Sequence, residues 1–213
     1  MLTWLQLSGG TFPTGDFNHS YGLETYIQTN RITTASEIEQ LLQAFLEVSI
    51  HFDAIFVKEA YEATQLADAA RLDEIQNIYS ASKLTKEVYE ASMKTGKSLL
   101  TGVINLSDID DFPIHYHYAI GYGIMAKKLD LPLWETVQTY LFSSMISLVS
   151  VATRIMPLGQ KESQLMLYRL GKSLAELPLT EEDLSLENVN TFSPGFEIAS
   201  MEHETLYTRL CMS

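Results

Sequence analysis

Between residues 134 and 154 the chain never settles into one polar and one apolar side. Large apolar residues stand at Leu141, Phe142, Met145, Ile146, Leu148, Val149, Val151 and Ile155, and Ser, Ala and Thr fill the gaps. A helix with no strongly polar face is one buried on nearly all sides. A membrane span needs roughly 18 or more apolar residues, and Ser143, Ser144, Ser147, Ser150 and Thr153 recur too often for that. Small hydroxyl side chains bond a carbonyl one turn back. Pro157 and Gly159 stop the helix, since proline cannot continue the ladder.

The flanking patterns are helical as well. Residues 17–27 read as a helix with Gly22 inside it; a mid-helix glycine costs about 1 kcal/mol relative to alanine, so a close backbone contact is the reason to keep one. Thr34 or Ser36 caps the next helix, with Glu37 and Glu39 in its first turn. Its periodicity, from Ile38 through Leu42, Phe45 and Leu46, runs on through residues 52–63. Residues 68–80 and 82–100 are two further amphipathic stretches. The aspartates at 108, 110 and 111 followed by Pro113 are helix-start signals, and 114–129 is read as the helix they start. Ala119, Gly123 and Ala126 line one face of it for close packing. Leu131-Pro132 breaks that helix. Residues 160–174 form one more helix, 179–190 are acidic and weakly periodic, and Phe192-Ser-Pro-Gly195 is a turn. Gly9-Gly10 and Pro13-Thr-Gly15 mark an early loop. No strand alternation persists. The reading is all-α: a single-domain helical bundle over residues 1–195 around a buried central helix, with a flexible C-terminal tail over 196–213.

With 213 residues, 46% of them hydrophobic, the chain can bury a substantial core. Fourteen basic residues against 27 acidic give a formal net charge of -13. That field repels phosphate backbones and anionic lipid, so neither nucleic acid nor membrane is an expected partner. The single cysteine, Cys211, excludes an internal disulfide framework. Met1 leads into no basic n-region and no long apolar run, so the expected compartment is cytoplasmic.

No catalytic constellation emerges. Lys94-Thr-Gly96-Lys-Ser98 is half of a phosphate loop, but the position of its first glycine is Ala91 and no strand precedes it. His115-x-His117, read on a helix, points its two rings to opposite sides. His19, Ser20 and Glu24 supply the residue types of a hydrolase triad without an elbow or oxyanion turn. His203, Glu204 and Cys211 are metal-compatible types at a spacing that matches no closed site. No cofactor motif is present, and no metal ligand set is assigned. Arg154, in the last turn of the central helix, is either a cation that favours the helix dipole or an interface arginine in need of a carboxylate.

Three separated stretches, in order, resemble one family. They are Pro13-Thr-Gly15-Asp-Phe17-Asn18-His19-Ser20-Tyr-Gly22-Leu-Glu24, then Met156-Pro-Leu-Gly-Gln160, and finally His203-Glu204-Thr-Leu-Tyr207-Thr-Arg209-Leu. Together they resemble the urease accessory protein UreF. That resemblance implies a non-catalytic helical chaperone for nickel insertion into urease. It further implies a homodimer that bridges the accessory protein UreD (also called UreH) and the GTPase UreG and presents UreG to the urease apoprotein. The motif positions Phe17, Asn18, His19, Ser20, Gly22, Glu24, Gln160, His203, Glu204, Tyr207 and Arg209, with Arg154 just before the second motif, then become partner-binding candidates. Phe17, Asn18 and His19 would face UreG. Arg209 would anchor a tail that orders on UreD and buries Leu206, Tyr207 and Leu210. Two rivals stand beside this reading: an all-α enzyme with a small-molecule pocket lined by His117, Tyr118, Tyr122 and Glu135, and a nickel store built on His203 and Cys211.

Overall fold

The structure, a computed structural model, describes residues 2–7, 12–106 and 114–213. All regular structure among these residues is helical. The α-helices are α1 (Leu2–Leu7), α2 (Leu23–Gln28), α3 (Ala35–His51), α4 (Asp53–Gln65), α5 (Ala69–Ser82) and α6 (Lys86–Ile104). They continue with α7 (Tyr118–Lys128), α8 (Leu133–Ile155), α9 (Gln160–Glu176) and α10 (Pro194–His203), and two 3-10 turns lie at Asp16–Asn18 and Leu186–Asn188. Gly9-Gly10 and the aspartates before Pro113 lie outside the described residues.

Local sequence accounts for most of these boundaries. Thr34, not Ser36, caps α3: its hydroxyl accepts from Glu37 N–H while the Glu37 carboxylate accepts from Thr34 N–H, a reciprocal capping box. The apolar run through residues 52–63 is a separate helix, because Phe52 leaves helical geometry at φ -131°, ψ -80°. Thr85 caps α6, which therefore starts later than the 82–100 pattern suggests. Pro194 opens α10 as its first helical residue instead of closing a turn, where its missing N–H costs nothing. The division between residues 1–195 and 196–213 falls inside the first turn of that helix.

Two readings are corrected by backbone geometry. Residues 17–27 are not one helix: Tyr21 and Gly22 have φ of 50° and 89°, and that left-handed pair separates the 3-10 turn from α2. Helix α7 begins at Tyr118, so His115 lies in extended chain and His117 is the residue before the first turn.

The core is built on α7 and α8 together. Every residue of α7 from Tyr118 to Ala126 is buried. Helix α8 buries Val137, Leu141, Met145, Leu148 and Val151 and turns Ser150, Thr153 and Arg154 outward. Its hydroxyls behave as the pattern implies: Ser143 and Ser144 both donate to the Tyr140 carbonyl, at 2.8 and 3.1 Å. The small-residue face of α7 lies on α4, where a Cβ added at Gly123 would stand 2.3 Å from the Val57 carbonyl oxygen. Gly96 of the half phosphate loop has the same role on α6, with the Tyr116 carbonyl oxygen 2.2 Å from its absent Cβ. Helices α3 and α4 together, Ala35–Gln65, are long and apolar enough to cross a membrane, yet half of that apolar window is buried inside the fold.

Because backbone, not a flexible side chain, fills the space at Gly123, Gly123→Ala should destabilise the fold by about 3 kcal/mol. Gly159→Ala, with nothing within 4 Å of the new Cβ, should stay within about 1 kcal/mol. Thermal unfolding of the two variants checks this; equal midpoints would contradict the packing account.

Candidate functional site

The first and third motifs, far apart in sequence, meet at the Glu24 carboxylate. Gly22 makes the meeting possible. Its φ of +89° suits glycine, and a Cβ there would lie 3.0 Å from Ala199 Cβ and 3.1 Å from the Phe196 carbonyl oxygen. Helix α10 thus rests directly on the start of α2, and the Thr25 hydroxyl donates to the Ala199 carbonyl at 2.7 Å. Glu24 falls in the first turn of α2, where an acid is favoured, and its side chain is fully buried.

Its two oxygens accept from four donors: Leu210 N–H at 2.7 Å, Cys211 N–H at 2.9 Å, His203 Nε2 at 3.0 Å and Gln28 Nε2 at 2.6 Å. His203, also fully buried, turns Nδ1 to a second carboxylate, Glu87 of α6, at 2.7 Å. Arg209 donates to the other Glu87 oxygen at 2.6 Å. Two acids and two basic side chains from four segments therefore close one network. Burial pushes the Glu24 carboxyl up; the Leu210 N–H, the His203 ring and the Cys211 N–H outweigh it and hold the group below its ordinary range.

A second set of contacts continues from this network. Met212 N–H donates to the Asn18 carbonyl at 2.8 Å, and Ser20 N–H donates to the Ser213 carbonyl. The Ser213 hydroxyl lies 2.8 Å from His19 Nδ1. Arg154 donates to the Phe17 carbonyl, so it satisfies a backbone acceptor, and among the described residues no carboxylate forms an ion pair with it. Main-chain atoms of residues 210–213 dock inward together with the Cys211 and Ser213 side chains, whereas the side chains of Leu210 and Met212, like that of Tyr207, are exposed, next to half-exposed Phe17.

The candidates consequently divide. His19, Ser20, Gly22, Glu24 and His203 are buried, whereas Phe17, Arg154, Glu204, Tyr207 and Arg209 are exposed and Asn18 is intermediate. Gln160 is exposed at the start of α9, away from the network. Sequence reasoning missed Glu87 and Ser213. The only local signal for Glu87 is its place in the first turn after the Thr85 cap. The Cys211 thiol is buried, and burial together with the Glu24 carboxylate pushes it up to about 12. It stays a thiol near neutrality, and the thiolate is the metal ligand. Among the described residues no group of three or more His, Cys, Asp or Glu is placed to hold a metal ion.

The residues of the enzyme reading do not converge. His117 is buried against Tyr79 and Tyr89 with Nε2 3.0 Å from the Ser80 hydroxyl. Tyr122 packs on Tyr118 and Tyr140, and Glu135 is exposed. A mainly apolar cavity of about 110 Å³ does exist, with Tyr118, Tyr140, Asp16 and Lys83 in its lining.

Comparison with known proteins agrees with the motifs. A family model described as UreF matches residues 32–171. The chain is 34% identical to the urease accessory protein UreF of Lachnoclostridium phytofermentans, over all of this chain and 98% of that protein. It is 32% identical to the protein of that name from Geobacillus kaustophilus, covering 100% and 98%, and 31% identical to that of Bacillus sp. (strain TB-90), covering 100% and 99%.

Acid should destabilise the fold in two stages. Burial, with Lys94 nearby, lowers His19 to about 4, and burial with Lys83 lowers His117 to about 4. A depressed histidine contributes stability that is complete above its unfolded value near 6.5 and lost as pH falls toward 4, roughly 3 kcal/mol for each group. Glu24, also depressed, contributes stability present above the ordinary glutamate range and lost as pH falls through its lower folded value. Thermal midpoints should therefore drop between pH 6.5 and 4 and continue to drop below that. His19→Gln should flatten the first stage; an unchanged slope would show that His19 is not buried in the neutral form.

Proposed function

This chain belongs to the urease accessory protein UreF family, and from that premise we propose that it works without chemistry of its own, as a scaffold for nickel insertion into urease. In this reading a cytoplasmic homodimer bridges UreD/UreH and the GTPase UreG and presents UreG to the urease apoprotein. The observation that carries the reading is the Glu24 junction, which joins two motifs of the family resemblance into one surface. Its buried members (His19, Ser20, Gly22, Glu24 and His203) hold geometry, and its exposed members (Phe17, Tyr207, Leu210, Met212 and Glu204) are free to meet another protein. A patch that displays apolar side chains while its main chain is hydrogen-bonded to the fold is suited to association, since those bonds reduce the ordering entropy lost on binding. Arg154 and Asn18 border the patch. Gln160 marks a separate contact at the start of α9.

Residues 196–213 are the partner-binding segment in this proposal, and Arg209 fastens it through Glu87. The net charge of -13 disfavours nucleic acid and anionic membrane and favours a basic protein surface. Half of the apolar α3–α4 window is buried in the fold, and that supports a core role over a membrane one.

Co-expression pull-down tests the proposal. The full chain should retain UreD, and a chain ending at residue 204, which keeps α10, should lose it. Arg209→Ala should weaken retention with helical content unchanged. A full-length chain that fails to bind UreD would overturn the assignment of partners.

A further inference from the structure

Two of the carboxylates that line the cavity between α3, α5, α7 and α8 have unequal partners. Asp53 accepts from the Tyr79 hydroxyl at 2.5 Å and from Lys83 Nζ at 3.4 Å. The same Lys83 amine stands 4.4 Å from the centroids of the Phe52 and Tyr79 rings; burial lowers it, and the Asp53 carboxylate beside it opposes that shift. Asp16 is 6% exposed. Its side chain is bonded by the Tyr21 hydroxyl at 3.1 Å and by Ser147, and among the described residues no basic side chain pairs with it. Burying a carboxylate without a cation is costly, and burial together with the neighbouring Asp53 charge raises this carboxyl despite its two hydroxyl partners. The folding role of the junction makes no use of this group.

The geometry around Asp16 suits a particular visitor. Tyr21, Tyr118 and Tyr140 stand with Asp16 in the cavity lining, their rings paired at 5.9 Å (Tyr21 with Phe45) and 5.4 Å (Tyr118 with Tyr140). Aromatic faces beside a carboxylate recognise alkylammonium groups through cation–π attraction and a charged hydrogen bond. A metal ion would need more anionic or imidazole ligands than this wall supplies. A carboxyl raised in this way holds its charge only when a cation stands beside it, and one monocation suffices, since Asp53 is already bonded by Lys83. The volume of about 110 Å³ limits the guest to a few heavy atoms. Glu197 lines the same cavity beside exposed Leu84 and adds negative potential there.

We propose that the cavity beside Asp16 is a binding site for a small aliphatic ammonium ion. The full-length protein is titrated with ethylammonium chloride, against sodium chloride at equal ionic strength, and the thermal midpoint and heat of binding are recorded. A saturable rise with ethylammonium is expected. Tetrabutylammonium, too large for the cavity, should give none. Asp16→Asn, which keeps the size and the hydrogen bond from Tyr21, should lose the saturable rise. Should Asp16→Asn fail to show native helicity, the size cut-off in the unaltered chain decides alone. No rise beyond sodium chloride, an equal rise in a folded Asp16→Asn, or a rise that persists with tetrabutylammonium would overturn the proposal.

Discussion

A single buried carboxylate fixes the arrangement of both motif segments. Glu24 cannot be desolvated without partners, because an unpaired carboxylate in the interior costs several kcal/mol. Its partners come from the chain nearly two hundred residues later: the amides of Leu210 and Cys211 and the ring of His203. Main-chain donors have no alternative register here, since a shift of one residue would remove them from the carboxylate. The demand of one acid for hydrogen bonds thus dictates where residues 203–213 lie.

That demand propagates outward. His203, bound at Nε2 by Glu24, presents Nδ1 to Glu87, and Glu87 then presents its second oxygen to Arg209. Because Arg209 is partly exposed, its pairing in itself contributes little; its value lies in orienting residues that follow. The outward side chains of Tyr207, Leu210 and Met212 are displayed as a consequence of inward main-chain bonding. A surface of this kind is built from the inside, which explains why so many motif positions are buried although the family resemblance marks them as functional.

The sequence made helical identity legible wherever local chemistry decides it. The start of α3 at Thr34 or Ser36, the hydroxyl-rich α8 and the small-residue face of α7 are all readable, and so is the list of motif residues; which residue caps α3 is decided by the structure. What escaped was long-range. Gly22 was read as a helical glycine tolerated for packing; the packing is real, against Ala199, but its positive φ splits the helix, and no local pattern separates the two cases. The family resemblance makes His19 a contact candidate, whereas the fold buries it beside Ser213. Glu87 carried only an ordinary cap-proximal signal, since its function depends on an arginine 122 positions away. The His115–His117 argument used the opposite faces of a helix that in fact begins at Tyr118.

Amide hydrogen exchange at Leu210 and Cys211 tests the central claim most directly. If the Glu24 carboxylate anchors the C-terminal segment, both amides in the full chain exchange far more slowly than those of an unfolded peptide, and Glu24→Gln speeds both together while the α7 amides stay protected. Exchange at the unfolded rate in the unaltered protein, or protection that survives Glu24→Gln, would contradict it.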